Sequence, residues 1–240
     1  IPVVSSFACF LICNAFDQIR MSIAYPKMNV KMVGSHAGIS IGEDGASQMG
    51  IEDVALSTAL PHVVTIVPAD AVSAGKATRA MLEHNGPVYL RCGRIEVPEV
   101  YGADAPFTIG KANTLKDGKD ATIIANGLMV GIALDAAALL AKEGVTVRVL
   151  DMHTVKPVDE EAIVAAAKET GRIVVAEEHL MAGGLGSIVA SVVARTTPVP
   201  MEFVNVGDTY GESGDPMGLL EKYGLTAEAI VGAVKKVRSR

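Results

Sequence analysis

Short apolar runs rich in β-branched residues recur along the chain and alternate with longer segments of helical periodicity. The strand-like runs lie at residues 30–33, 63–67, 88–90, 121–125, 145–150, 172–176 and 201–206. The helical segments lie at residues 51–60, 71–84, 129–140, 159–168, 187–194 and 227–237. Strands that are apolar on both faces are typical of parallel sheets covered by helices on both sides. The pattern therefore predicts an α/β fold.

Capping residues support two of the predicted helices. Asp70 and Thr226 stand just before helical segments, where a side-chain oxygen can accept hydrogen bonds from free first-turn amides. In the last helix Glu228 comes early and Lys235 and Lys236 come late, which is the order that the helix dipole favours.

Residues 96–106 break the alternation, because Pro98, Gly102 and Pro106 interrupt a charged stretch that has no periodicity. We therefore expect a first domain at residues 1–97, a linker at 98–106 and a second domain at 107–240, each with a mostly parallel sheet flanked by helices. The chain opens without Met inside a strand-like run at residues 1–4. We therefore expect an upstream segment that covers this strand or pairs with it.

Composition and charge exclude several classes of protein. The chain has 240 residues, half of them hydrophobic and only 4% aromatic, with no Trp and a net charge of −6. Such a chain is not disordered, and it is a poor candidate for binding nucleic acid or an anionic membrane. The apolar residues 1–16 lack a basic start and run into Asp17 and Arg20, so we expect neither a signal peptide nor a membrane span.

The cysteine pattern predicts neither a disulfide framework nor a metal site. Cys9, Cys13 and Cys92 are too few for a disulfide scaffold and form no CxxC pair, so we expect small buried residues in a reducing cytoplasm.

One loop concentrates candidate chemistry. Residues 36–48 (HAGISIGEDGASQ) follow a predicted strand and contain three glycines, two carboxylates, a His and an amide. Ligands of α/β sheets bind at the carboxyl ends of strands, and glycines allow close backbone approach. Spacing alone is equally compatible with an ordinary surface loop.

A glycine cluster offers a weaker alternative. Residues 183–186 (GGLG) follow a strand and open a helix, as in dinucleotide-binding folds. The third glycine and the acidic residue about 20 positions later are missing, so an ordinary helix start is the favoured interpretation.

Six segments give the chain a resemblance to the C-terminal half of transketolase, which consists of the pyrimidine-binding domain and the small C-terminal domain. They are SSFACF with FDQIR at 5–20, GSHAGISIGEDGASQMGIEDVAL at 34–56, PAD at 68–70, VYLRCGR at 88–94, VRVLDMHTVKPVD at 147–159 and EEHLMAGGLG at 177–186. The GSHxGxSxGEDGxSQ run is specific to the transketolase branch. It separates the chain from deoxyxylulose-phosphate synthase and from the pyruvate dehydrogenase β subunit, which share the fold.

The resemblance implies roles for five residues in binding thiamine diphosphate and sugar phosphates. Phe10 matches the aromatic residue that stacks on the cofactor's aminopyrimidine ring. His36 and Arg94 match residues that hold the substrate phosphate, and Asp44 matches the carboxylate that contacts a substrate hydroxyl. Gln48 stands beside the cofactor where many relatives have His, and an amide cannot relay a proton at neutral pH. The resemblance assigns no clear catalytic role to His153 or His179.

The resemblance also implies that the catalytic machinery is shared with another chain. The family's catalytic Glu lies upstream of Ile1, so no catalytic residue is expected here. The diphosphate-binding domain with its magnesium ligands is expected on a partner, and we find no metal site in this sequence. We expect a cytoplasmic subunit of a split transketolase of the pentose phosphate pathway, or a fragment of a fused enzyme.

With an N-terminal subunit, in a heterotetramer with two copies of each chain, it would move a two-carbon ketol unit from a ketose phosphate to an aldose phosphate. Two alternatives remain open. The chain could serve an unusual sugar phosphate, or it could be a non-catalytic assembly subunit of the same fold.

Overall fold

The computed structural model describes all residues from 1 to 240 and contains ten strands. In chain order the strands are β1 (Val3–Phe7), β2 (Lys31–Ser35), β3 (Val64–Ile66), β4 (Val88–Arg91), β5 (Asn113–Lys116), β6 (Ala121–Ala125), β7 (Val147–Asp151), β8 (Thr154–Lys156), β9 (Ile173–Ala176) and β10 (Met201–Val204). They form two five-stranded sheets, one mainly from each of the two predicted domains.

Eight α-helices connect and cover these strands. They are α1 (Phe16–Ile19), α2 (Asp53–Ala59), α3 (Ala71–Glu83), α4 (Met129–Lys142), α5 (Glu160–Thr170), α6 (Leu185–Thr196), α7 (Pro216–Lys222) and α8 (Ala227–Arg238). Short π-helical turns flank α1 at Cys9–Asn14 and Arg20–Ala24, and 3₁₀ turns occupy Ile39–Asp44 and Ala46–Gln48. No helix combines the length and the apolar character needed to cross a membrane.

The first sheet has the order β1-β2-β4-β3-β8. The first four strands are parallel, so their carboxyl ends share one edge of the sheet. The last strand, β8, comes from the second half of the chain and pairs antiparallel with β3, placing Thr65 opposite Lys156. The two halves of the chain are therefore joined through a shared sheet.

The second sheet has the order β10-β9-β6-β7-β5, with only β5 antiparallel. Helices α4 and α8 belong to one apolar cluster, and α5 and α6 belong to another that includes residues of β6, β7 and β9. Every residue of the central strand β6 is buried. The predicted α/β architecture with helices flanking mostly parallel sheets is confirmed.

Both predicted helix caps are present. The Asp70 carboxylate accepts from the Ser73 amide at 2.7 Å, and Thr226 Oγ1 accepts from the Ala229 amide at 3.2 Å. The first strand lies at Val3–Phe7 rather than at residues 1–4, because its pairing with β2 begins at Val3.

The segment proposed as a linker is pinned to the fold. The Asp70 carboxylate that caps α3 also accepts from the amides of Val100 and Tyr101, at 2.8 and 2.9 Å. The Tyr101 hydroxyl donates to the buried Asp151 carboxylate at 2.7 Å. Residues 98–106 thus contain no helix or strand, yet hydrogen bonds fix their path. The domain division at 97 and 107 stays a prediction.

Candidate functional site

The predicted site residues follow strands that are neighbours in the first sheet. Phe7 ends β1 opposite Ser35 of β2, and Gly34 of β2 lies opposite Arg91 of β4. Because these strands are parallel, the segments after them meet at one edge. These segments contain Phe10, His36, Asp44, Gln48 and Arg94.

An aromatic stack is the first element of this edge. The Phe7 ring lies parallel to the His36 ring, with their centroids 4.0 Å apart. It also stacks on Phe10 at 5.9 Å with only 9° between the planes. The Phe10 side chain is 39% exposed, so an aromatic face remains open to a planar ligand. Sequence reasoning overlooked Phe7, although the spacing of the two Phe residues in SSFACF was a usable signal.

His36 has a constrained backbone. Its φ is +57°, a conformation that non-glycine residues adopt infrequently and that often marks functional loops. Its Nδ1 lies 2.9 Å from the Ser35 hydroxyl. The stack on Phe7 and this hydrogen bond together fix the orientation of the imidazole.

The loop at residues 36–48 forms two tight 3₁₀ turns rather than an open surface loop. Gly38, Gly42 and Gly45 have φ values of +87°, +82° and +80°, which residues with a Cβ adopt poorly. Ile39 and Ile41, between these glycines, are fully buried. The glycines thus let the chain turn so that both isoleucine side chains point inward.

The polar side chains in the second half of this loop face solvent, whereas Ser40 is buried. Glu43 and Asp44 are exposed and Gln48 is half-buried. The Asp44 carboxylate has no hydrogen-bond or ion-pair partner within the chain, which leaves it available to a ligand.

Arg94 contacts the same loop. Its guanidinium donates to the Ile41 carbonyl and to Glu43 Oε2, the latter at 2.9 Å. The pKa of Glu43 is lowered, first by its own backbone amide and then by Arg94. Arg94 is 39% exposed and Glu43 is 65% exposed, so this ion pair is weak and screened by solvent. A doubly charged phosphate can therefore compete with Glu43 for the guanidinium.

The structure thus brings the predicted residues together in two groups. Phe10 and His36 are joined through Phe7, and Arg94 is joined to the turn that carries Asp44. No hydrogen bond, ion pair or ring stack links the two groups, and the Gln48 side chain makes no such contact with either.

A buried polar network lies beneath this edge, and sequence reasoning missed it. Arg91 is 5% exposed and donates to Asp53 at 2.9 Å, to the Gly50 carbonyl at 3.0 Å and to the Glu178 carbonyl at 2.9 Å. The Tyr89 hydroxyl donates to Asp53 at 2.6 Å, and burial raises the pKa of Tyr89. A buried arginine that is paired in this way holds backbone segments together, here the one at Gly50 and the one at Glu178.

A cavity of about 330 Å³ lies near this network. Its lining includes Asp70, Arg91 and Glu178 and none of the five predicted site residues. This recess is therefore distinct from the edge where the predicted residues meet.

The glycine cluster at 183–186 opens helix α6, whose first amides are bound by a side chain of the same chain. The Glu177 carboxylate already accepts from the amides of Leu185 and Gly186, both at 2.7 Å. A Cβ at Gly184 would overlap this carboxylate, which explains the glycine. The helix N-terminus that a pyrophosphate would need is thus occupied by the Glu177 carboxyl group.

The two histidines of the second domain are structural. His179 accepts from the Ala55 amide at 3.3 Å, and His153 is fully buried against Phe107. Across the described residues, 1–240, no group of three or more His, Cys, Asp or Glu side chains is placed to hold a metal ion. All three cysteines are free, with Cys9 buried and the other two partly exposed.

Comparison with known protein families agrees with this geometry. Residues 1–99 match the transketolase pyrimidine-binding domain, and residues 110–230 match the transketolase C-terminal domain.

Individual relatives share both domains. The chain is 42% identical over 240 residues to the 6-deoxy-6-sulfo-D-fructose transketolase subunit SqwH of Clostridium sp. (strain MSTE9), covering 100% of this chain and 74% of that protein. It is 40% identical over 224 residues to an apulose-4-phosphate transketolase subunit of Phocaeicola vulgatus, covering 93% of this chain and 72% of that protein.

A solved structure described as a split gene transketolase, inactive β4 tetramer, matches with a TM-score of 0.94 and 48% identity, covering 100% of this chain and 77% of that one. The chain therefore belongs to the transketolase family, and it is similar to the C-terminal subunits of split-gene transketolases.

Proposed function

We propose that this chain is the C-terminal subunit of a split transketolase. Assembled with a chain that carries the diphosphate-binding domain, it transfers a two-carbon ketol unit from a ketose phosphate to an aldose phosphate. One observation carries the proposal. The stack of Phe10, Phe7 and His36 lies at the same sheet edge as the turn held by Arg94, in a chain of this family.

The residues present fit thiamine diphosphate, since Phe10 offers an open aromatic face at the sheet edge. When bound, thiamine diphosphate stabilises the carbanion that forms on the transferred two-carbon unit. Phe10 would hold the aminopyrimidine ring, and Gln48 would supply a hydrogen-bonding group that moves no proton. The protein's own work is thus orientation, and proton transfer falls to groups outside these residues.

Three residues would bind substrate. Arg94 offers a forked donor to the substrate phosphate, and His36 adds an oriented imidazole. Asp44 accepts a hydrogen bond from a substrate hydroxyl, because its carboxylate is exposed and unpaired. Positioning the donor in this way lowers the entropy that the reaction loses at its transition state.

The partner chain would complete the cofactor site with the magnesium ligands. Exposed apolar side chains cluster in the first 28 residues and offer a surface for it. They are Ile1, Val3, Val4, Phe10, Met21, Tyr25 and Met28. The similar solved structure is described as an inactive tetramer of β chains, which supports a requirement for a second type of subunit. We propose a heterotetramer with two copies of each chain, located in the cytoplasm.

An unusual sugar phosphate is the second candidate for the substrate. Two similar subunits are named for 6-deoxy-6-sulfo-D-fructose and for apulose 4-phosphate. The Arg94–Glu43 pair supports this alternative, because a carboxylate beside the guanidinium alters the charge that the anionic end of the donor meets.

The test is reconstitution with a chain that carries the diphosphate-binding domain, followed by ketol-transfer assays on a panel of ketose phosphates and sulfonated ketoses. We expect activity only with both chains, and its strong reduction by Asp44→Ala. A complex that forms but transfers no ketol unit from any donor would identify the chain as a non-catalytic assembly subunit.

A further inference from the structure

The loop at residues 36–48 packs into the apolar core of the second domain. The apolar side chains of the loop and the segment after it are buried in the same cluster as helices α4, α7 and α8. These side chains are Ile39, Ile41, Met49 and Ile51, each no more than 3% exposed. The first sheet therefore supplies the ends of the loop, and the second domain supplies the surface against which it folds.

Glu178 makes the central polar contact between the loop and the second domain. It follows β9 of the second sheet, is 4% exposed, and accepts from the Ser40 amide through Oε1 at 2.7 Å. A Cβ at Gly38 would overlap the Glu178 carboxyl group. The carboxyl group and the loop backbone thus occupy complementary space, and the Ser40 amide has its partner only if Glu178 is in place.

Further contacts close the arrangement on either side of Glu178. Arg91 joins the Gly50 carbonyl at the end of the loop to the Glu178 carbonyl. At the other end of the turns, a Cβ at Gly42 would lie 2.7 Å from Pro216 Cγ at the start of α7. The loop therefore meets the second domain at two places, at Glu178 and at Pro216.

We infer that the second domain acts as a clamp that holds the 36–48 loop in its substrate-binding shape, with Glu178 as the positioning residue. The predicted effect of this clamp on substrate binding rests on the proposed function, because the loop carries Asp44 and accepts hydrogen bonds from Arg94. Glu178 is buried and acts through the hydrogen bond that it accepts from the Ser40 amide. This gives a role to a domain that contributes no residue to the predicted site.

Amide hydrogen exchange of the full chain tests the clamp without cofactor, partner or activity. In the wild-type chain the Ser40 amide should exchange slowly although neighbouring side chains are exposed. Glu178→Met keeps the length of the side chain and removes the acceptor, so exchange at residues 38–44 should rise at least about tenfold, or 1.4 kcal/mol at 25 °C. Glu178→Gln keeps an acceptor oxygen in the same place and should stay near wild type.

Glu177 provides the matched control. It is equally buried, but its carboxylate accepts from amides of α6 and touches no loop residue. Glu177→Gln and Glu177→Met should speed exchange at the start of α6 and leave residues 38–44 unchanged. Equal effects of the Glu177 and Glu178 variants on the loop would mean general destabilisation and would overturn the proposal. Rapid exchange of Ser40 in the wild-type chain would do the same, even if no Met variant folds.

Steady-state kinetics of the reconstituted enzyme give a separate readout. Glu178→Met should raise KM for the ketose donor about fivefold or more with a smaller change in kcat, because the loop binds substrate and performs no proton transfer. If reconstitution yields no transketolase activity, the proposed function fails while the exchange experiment still decides the clamp. Faster amide exchange at residues 38–44 together with an unchanged KM would overturn the link to substrate binding.

Discussion

Replacing Asp151 with asparagine should stabilise the chain at neutral pH and leave its stability unchanged at acidic pH. Asp151 ends β7 and is fully buried. Its Oδ2 accepts from the Tyr101 hydroxyl at 2.7 Å, while its Oδ1 has no partner. Burial raises the pKa of Asp151 from its ordinary value of 3.8 to about 7, against the lowering effect of the Tyr101 hydrogen bond.

The sign follows from proton binding in the two states. Between pH 4 and 7 the unfolded chain loses the Asp151 proton while the folded chain keeps it, so the free energy of unfolding falls as pH rises through this window. The difference between the two pKa values is worth up to roughly 4 kcal/mol above pH 7, at 1.36 kcal/mol per pKa unit. The side-chain amide introduced by Asp151→Asn keeps an oxygen for Tyr101 and carries no charge, so the variant escapes this loss.

The assay is thermal and urea unfolding of the wild-type chain and of the Asp151→Asn variant, at intervals from pH 4 to pH 8. The variant should match wild type near pH 4 and exceed it progressively up to pH 7, with a plateau above. For a chain of this size each kcal/mol moves Tm by about 2–4 °C. Burial lowers the pKa of His153 to about 4, which makes stability fall as pH drops below about 6.5, but this contribution is common to both chains and cancels in the difference.

Tyr101→Phe supplies a control in the opposite direction. It removes the donor that favours the ionised carboxylate, so the loss of stability between pH 4 and 7 should grow. A difference between Asp151→Asn and wild type that stays flat from pH 4 to pH 8 would refute the reasoning, because it would mean that Asp151 titrates alike in the folded and unfolded chains.

Three further outcomes are expected. Arg94→Ala should raise KM for a phosphorylated donor about tenfold or more and hardly affect KM for hydroxypyruvate, since a charge-assisted bond is worth roughly 1.5–3 kcal/mol. Arg94→Lys should recover part of the loss. An equal loss with both donors would assign Arg94 to the fold. Phe10→Ala should weaken thiamine diphosphate binding several-fold in the assembled enzyme, because aromatic stacking is worth about 0.5–1.5 kcal/mol, and unchanged affinity in titrations of a folded variant would move the stack elsewhere. Calorimetry of the isolated chain with thiamine diphosphate and magnesium should show no tight binding, and a submicromolar Kd would contradict the division of the site between two chains.

The sequence was a good guide where structure is set by local periodicity. The central strands β4, β6 and β9 were predicted to within a residue or two, because their residues are buried on both faces and read as continuous apolar runs. The caps Asp70 and Thr226 were also predictable, since a cap acts on amides only a few residues away.

Elements that depend on distant parts of the chain were missed. Strand β5 alternates half-buried and exposed residues at a sheet edge, and its sequence NTLK has little apolar character. Strand β8 pairs with β3 across about ninety residues, and no local pattern signals such a partner. Helix α7 is short and follows a Gly-rich and Asp-rich stretch that reads as a loop.

The candidate site divides in the same way. The resemblance supplied Phe10, His36, Asp44, Gln48 and Arg94, which are chemically distinctive residues in a specific motif. It did not supply Phe7 or Glu178, because their importance lies in what they touch. Phe7 joins two rings, and Glu178 reaches the loop from the other sheet. The identity of a residue limits its chemistry, whereas its partner is decided by the tertiary fold.

Two arginines three residues apart show why the surroundings decide function. Arg91 lies inside the end of β4, where it donates to Asp53 and to two carbonyls, and removing one partner of such a buried pair costs about 3–5 kcal/mol. Arg94 lies just beyond the strand, where its exposed pair with Glu43 is worth at most about 1 kcal/mol. A phosphate can displace Glu43 from Arg94 but cannot displace Asp53 from Arg91. Over the few residues where the chain leaves the sheet, an arginine that holds the fold is thus followed by one whose guanidinium remains accessible to an anion.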